Sequence, residues 1–157
     1  MNTDYSTEQS TPVFSMKWHK FLIYFATWAA AVVSLINAFL FFSGSIEGEY
    51  AQQIYALWPA MKAVHLALGV ISLGIAVLAI VTRFALAGYK ANGPKLLYIM
   101  YACNALINPL YSVLVSVTMN APLLEMLSSD IASLIVPVAM IALNHTYYTK
   151  RAALFTR

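Results

Sequence analysis

The amino-acid sequence predicts an all-α, polytopic membrane protein, folded as an up-down bundle of four transmembrane helices. Composition is the first reason: 61% of the 157 residues are hydrophobic, 10% are charged, and the mean hydropathy is +0.73. Soluble domains carry about 25% charged residues. The second reason is four apolar stretches, each close to the ~20 residues that a helix needs to cross a bilayer. They cover residues 21–42, 59–81, 96–118 and 131–148.

Residues 1–15 precede the first apolar stretch and are mostly polar, so we expect them to form a mobile tail. Residues 16–157 then form a single transmembrane domain. The stretch 21–42 is longer than the 7–15 or so apolar residues of a secretory signal peptide, and Asp4 and Glu8 lie ahead of it. We therefore predict a helix that the protein retains.

The cations fall on one side of the predicted bundle. Since loops rich in Lys and Arg stay in the cytoplasm, both termini are predicted to be cytoplasmic. The net charge of +3 then belongs to a face that meets anionic lipid, and no surface for nucleic acid is predicted. Lys62 is the only cation near the opposite side. The cytoplasmic cations are Lys17, Lys20, Arg83, Lys90, Lys95, Lys150, Arg151 and Arg157, and the acidic residues opposite are Glu47, Glu49, Glu125 and Asp130.

The connections between the four stretches are short and contain helix breakers. Gly44 and Gly48 follow the first stretch, Asn92-Gly93-Pro94 precedes the third, and Pro122 precedes the fourth. Short connections make sequential helices antiparallel neighbours, which predicts the up-down order.

The first predicted helix carries small residues at every fourth position. Ala26, Ala30, Ser34 and Ala38 form a small-xxx-small pattern, which allows helix backbones to approach closely within lipid. Two interpretations are open. This face is either the seam of a homodimer or the contact with another helix of the same chain.

The third predicted helix is the most polar of the four. Lipid cannot satisfy an asparagine amide, so polar residues three and four apart must face protein or water. They either form hydrogen bonds between helices or line a hydrated cavity. The stripe consists of Tyr101, Asn104, Asn108, Tyr111, Ser112 and Ser116.

The second predicted helix opens with a cation and a histidine on one face, Lys62 and His65. Lys62 lies within one turn of the outer boundary, where its ammonium either reaches the headgroups or lines a pocket. His65 lies about 9 Å inside and is either a hydrogen-bonded core residue or a proton-sensitive group. Asn37 and Asn108 come to similar depths, and Asp130 lies opposite. These five residues predict an outward-facing pocket for a substrate or ion.

Enzymatic chemistry is not predicted. Cys103 is the only cysteine, so one chain can form neither a disulfide nor a thiolate metal site. The sequence contains no metalloprotease, hydrolase or phosphate-loop motif, and no cofactor is expected. His19 and His145 approach the same membrane edge but are expected to lie at the interface, which disfavours a haem held by two histidines.

Two segments carry a resemblance to known proteins. MKWHKFLIYF at 16–25 and TRFALAGYKANGP at 82–94 resemble small four-span membrane proteins of gut-dwelling Gram-positive bacteria, over roughly the first three spans. Some of those proteins carry a cysteine-rich zinc ribbon before the first helix, and this chain lacks those cysteines. The resemblance implies a multi-pass protein of a bacterial plasma membrane, and it implies no activity or site.

Two functions remain open from the sequence. One is a non-enzymatic membrane module that assembles with itself or with another membrane protein, which the small-residue face favours. The other is a small transporter or channel subunit that responds to protons, which Lys62, His65 and Asn108 favour.

Overall fold

The computed structural model describes residues 15–156, and this part of the chain consists of helices joined by short turns. The predicted tail, 1–15, lies outside the described residues except for Ser15. Helix α1 comprises Lys17–Phe21, a π-helical turn Leu22–Ala26 and Thr27–Ser43. A 3-10 turn, Ser45–Tyr50, leads into the short helix α2, Ala51–Leu57. Helix α3 spans Ala60–Ala87, α4 spans Gly93–Met119, and α5 spans Leu123–Thr149 and is followed by a 3-10 turn, Ala152–Leu154.

Four helical stretches of the described chain are long and apolar enough, by length and composition, to cross a membrane. The prediction of four such helices is confirmed. The stretches are Lys17–Leu57, Ala60–Ala87, Gly93–Met119 and Asp130–Thr149.

Two boundaries differ from the predicted ones. The connection between the first two stretches was expected to be a loop, yet it contains α2, because its residues 51–57 include no Gly or Pro. The fourth helix starts at Leu123 rather than near residue 131, directly after Pro122, whose backbone is extended. Glu125 and Asp130 lie ahead of the apolar stretch, yet both are part of the helix, because a polar residue limits an apolar stretch but does not break a helix.

The four long helices pack in chain order: α1 against α3, α3 against α4 and α4 against α5. The buried face of α1 repeats at alternating spacings of four and three, as in helices that pack along a shared seam. At one end of the protein, α1 also meets α5, where the Trp18 indole donates to Oδ1 of Asn144 at 2.9 Å. The seam residues of α1 are Thr27, Ala31, Ser34, Ala38 and Phe41.

We name the two ends by the chain segments that they carry. The terminal end holds the start of α1, the turn after α3 and the end of α5, and His19, Tyr148 and Phe155 pack there with ring centroids 5.1–5.9 Å apart. The distal end holds residues 44–59 and the turn before α5. His19 is 1% exposed among these rings, and the Tyr148 hydroxyl lies 2.9 Å from its Nδ1. Its predicted place at the membrane interface stays a prediction.

The exterior of the long helices is apolar, and several buried side chains are polar. Phe39, Val77 and Val117 are 66%, 60% and 78% exposed, while Ser72 and Thr82 are buried. A soluble domain places its large apolar side chains inside. The inverse arrangement suits an exterior in contact with lipid and an interior of small and hydrogen-bonded residues.

Candidate functional site

The distal end is covered by the segment between α1 and α3, residues 45–57, which we call the distal segment. Gly44 ends α1 in the left-handed conformation, with φ 74°, and Gly48 bends the segment again with φ 60° and ψ −134°. Side chains are disfavoured at both angles, so glycine is required here. The two bends bring Glu47 and Tyr55 back over the start of α3.

His65 on the second turn of α3 forms the centre of a polar network. Its ring is 1% exposed. Nδ1 lies 2.8 Å from the Tyr55 hydroxyl, and Nε2 lies 3.2 Å from Oε1 of Glu47. The same carboxylate oxygen accepts a hydrogen bond of 2.6 Å from the Tyr111 hydroxyl of α4. One histidine thus connects the distal segment, α3 and α4.

The geometry indicates how protons are arranged in this network. A carboxylate only accepts, so the proton of a neutral His65 resides on Nε2, facing Glu47, while Tyr55 donates to Nδ1. The contact with Glu47 meets the distance of an ion pair but not the alignment of a hydrogen bond. It is therefore an electrostatic contact that gains strength when His65 takes up a second proton.

Aromatic rings enclose the network on the side of the long helices. The Phe41 and Tyr111 rings lie 5.9 and 6.0 Å from the His65 ring, centroid to centroid. Leu68 and Ile107 pack with Phe41 in one apolar cluster. The polar groups are thereby separated from the middle of the protein, which makes their mutual contacts costly to remove.

A cavity of about 790 Å³ adjoins the network at the distal end. Its size lies within the range of small-molecule sites, about 300–1,000 Å³. Among the described residues that line it, Lys62 is the one permanent cation and none is acidic. The lining residues are Phe41, Phe42, Ser43, Gln52, Tyr55, Pro59, Lys62, Ala63, His65 and Leu66.

Of the five residues predicted to form a pocket, the structure brings two together. Lys62 and His65 both line the cavity. Asn37 is half-buried on α1 and Asn108 is exposed on α4. Asp130 on α5 accepts a hydrogen bond of 2.7 Å from Ser112, away from the cavity. A role of Asn37, Asn108 and Asp130 in binding stays a prediction.

The small-residue face of α1 lies largely inside the chain. Ser34 and Ala38 are each 2% exposed, and Ala26 and Ala30 are half-buried. Because α1 packs mainly on α3, this placement is the one expected if the face serves packing within the chain.

Sequence reasoning did not include three residues of the network: Glu47, Tyr55 and Tyr111. A usable signal was present, since a buried histidine needs partners. Glu47 lies between Gly44 and Gly48, the two residues able to bend the chain back over α3. Tyr111 was recognised in the polar stripe of the third helix but was not connected with His65.

Comparison with known proteins leaves the geometry as the only guide to function. No family model, curated protein or solved structure matches this chain. The resemblance drawn from MKWHKFLIYF and TRFALAGYKANGP stays a prediction. Within residues 15–156, no three His, Cys, Asp or Glu side chains lie together as ligands for a metal ion.

Proposed function

We propose that this protein spans a bacterial plasma membrane four times, as an up-down bundle with both termini in the cytoplasm. The four apolar helices support the spans. The exposed cations Lys17, Lys20, Lys90 and Lys150 support the orientation, because they belong to the terminal end.

Labelling of single cysteines in intact cells tests this orientation. In a Cys103→Ser background, Glu49→Cys at the distal end should react with a membrane-impermeant maleimide. Lys20→Cys should react only after the cells are lysed. Both positions are exposed, so burial cannot explain a difference between them. The reverse pattern would place the termini outside and refute the proposed topology.

Within the membrane, the geometry best supports a small transporter or channel subunit that responds to protons. The observation that carries this function is the contact of the buried His65 with the half-buried Glu47, beside an open cavity. Ionisable groups inside membrane proteins are expensive and are usually retained for function. Since the contact attaches the distal segment to α3, a change in the proton count of the pair changes how firmly the segment is held. Besides each other, the pair faces Tyr55 and Tyr111, with Lys62 one turn away on α3.

Proton flux into liposomes tests this function without knowledge of a substrate. The purified chain is reconstituted with an entrapped pH dye, and flux is driven by a potassium diffusion potential. We expect flux above protein-free liposomes, its loss in His65→Leu, and its retention in His145→Leu, which replaces an exposed histidine of α5. Glu47→Gln, which keeps the size of the side chain, should also reduce flux. Wild-type flux equal to that of empty liposomes would reject the function.

The assembly module is a second candidate, and Asn108 favours it. Asn108 is exposed within a membrane-spanning helix, where lipid offers its amide no hydrogen-bond partner, and a polar group of another chain would supply one. In this proposal the protein forms a homo-oligomer or binds a membrane partner, and it catalyses no reaction.

Oligomer mass in lipid nanodiscs tests the assembly module. Asn108→Leu should lower the mass if this amide lies in the interface. Ala30→Leu, at a half-buried position of the small-residue face of α1, should lower it if that face is also shared between chains. Ser34→Leu replaces a residue buried inside the chain and should affect stability instead. A wild-type chain that is monomeric in nanodiscs would reject self-assembly.

A further inference from the structure

Along one face of α3, the residues at the cavity and just beyond it change from charged to apolar. Lys62 lies in the first turn, Leu66 follows one turn later, and Gly69 follows after another. The ring of Phe42 lies against Gly69, where a Cβ atom would come within 2.5 Å of Cε1. From Lys62 to Gly69 the helix rises about 10 Å. One cation and a wall of apolar groups are thus stacked along the helix axis.

The apolar wall is continuous with the exterior of the protein. Phe42 and Leu66 both line the cavity, and they are also 45% and 58% exposed. In a bilayer this exposed surface faces acyl chains. The cavity therefore opens sideways toward lipid at its apolar part, while Lys62 lies nearer the helix start and the aqueous boundary.

The charge of the cavity favours an anion. Lys62 is exposed, and the described lining residues include no carboxylate that would neutralise it. The positive end of the α3 dipole lies at the same place. Gln52 and Tyr55 add polar groups to the lining. A neutral solute would leave the cation unpaired, and a cationic solute would be repelled by it.

We propose that the cavity binds an amphiphilic anion, with a single apolar chain and a carboxylate or phosphate head. The head pairs with Lys62, and the chain lies along Phe42 and Leu66 toward the bilayer. This inference names the substrate class of the transport function proposed above and rests on that function.

Binding of tritiated dodecanoate to the purified full-length chain in detergent tests the inference, with scintillation proximity as the readout and a pH at which the acid is ionised. Unlabelled dodecanoate should compete at about a tenfold lower concentration than dodecanol, which has the same chain without the charge. Lys62→Gln should raise the Kd about tenfold, whereas Lys150→Gln, an exposed lysine of the terminal end, should not. Ala63→Trp, which fills the cavity, should abolish binding.

Three results would overturn the inference. They are equal competition by dodecanol, an unchanged Kd in Lys62→Gln, and hexanoate competing as well as dodecanoate, which would show that no chain is needed. Dodecyl phosphate separates two sources of the head. If dodecyl phosphate competes more strongly than dodecanoate, the natural head is a lipid phosphate. If it competes more weakly, the natural head is a carboxylate. Both ligands belong to the proposed class.

Failure of this inference can be told apart from failure of the transport function. Dodecanoate binding that depends on Lys62, without proton flux in liposomes, would reject transport and keep the anion site. Proton flux that depends on His65, with no dodecanoate binding, would reject the anion site and keep transport.

Discussion

Replacing Glu47 gives the sharpest test of the network at the distal end. Its carboxylate accepts a hydrogen bond of 2.6 Å from Tyr111 and lies 3.2 Å from Nε2 of His65. Glu49, two residues later on the same segment, is exposed and makes no ion pair with a described residue. The two glutamates therefore form a matched pair of equal charge and size.

The expected size of the effect follows from the contacts. A hydrogen bond to a charged group contributes about 1.5–3 kcal/mol. Glu47→Leu removes that bond, leaves the half-buried Tyr111 hydroxyl without its acceptor and takes away the charge that faces the buried His65 ring, so we expect a loss of about 2–4 kcal/mol. Glu47→Gln keeps an amide oxygen for Tyr111 and loses the charge, so about 1 kcal/mol is expected. Glu49→Leu should change stability by less than about 0.5 kcal/mol.

Reversible unfolding in mixed micelles of a mild detergent and dodecyl sulfate measures these differences, with helical circular dichroism as the signal. Tyr111→Phe completes a double-mutant cycle with Glu47→Gln, and a coupling of at least about 0.5 kcal/mol is expected for two residues in contact. Equal stabilities of Glu47→Leu and Glu49→Leu, or a coupling near zero, would refute the assignment of Glu47 as the link between the distal segment and α4.

Three glycines give further predictions, all measured by the same unfolding assay. Gly44→Ala should cost about 1–2 kcal/mol, because alanine disfavours the left-handed backbone of this position. Its Cβ would also come within 2.5 Å of the Tyr55 hydroxyl, so the hydrogen bond between Tyr55 and His65 should be lost. A variant as stable as the wild type would contradict this. Gly93→Ala should cost about 1 kcal/mol, because its Cβ would lie 3.2 Å from the backbone carbonyl of Ala85 in α3, which is less free to shift than the end of a side chain. Gly74→Ala is the control: no atom lies within 4 Å of its Cβ, so a gain of about 0.5–1 kcal/mol is expected, and a loss in Gly74→Ala as large as that in Gly93→Ala would reject the packing argument.

Much of the fold was predictable because lipid imposes one simple requirement. A chain that crosses it must satisfy its backbone inside each span, so length and apolar content reveal the helices without knowledge of their contacts. The fold of the distal segment was not predicted, because length and apolar content reveal only helices that cross the lipid. Its helix α2 is short and half polar, and it is held in place by Tyr55, a contact that hydropathy does not report.

The candidate site was predictable only in part, since sequence depth and spatial proximity are different quantities. Lys62 and His65 share one helix, so their proximity follows from spacing alone. Asn37 and Asn108 were placed at the same depth, but depth does not determine which way each residue points around its helix. Glu47 reaches His65 only because two glycines bend the chain, and the extent of that bend depends on left-handed angles that no periodicity encodes.

The two ends of the bundle differ in how their histidines are held, and the difference bears on function. At the terminal end, the ring contacts of His19 among the described residues are with Tyr89, Tyr148 and Phe155, and α1 and α5 are joined there. At the distal end, His65 meets a carboxylate and borders an open cavity. An aromatic shell holds a neutral ring in one arrangement, whereas a carboxylate binds the ring with a strength that depends on protonation. In the proposed function, the response to protons therefore belongs at the distal end, and the terminal end serves as the fixed base for the distal segment.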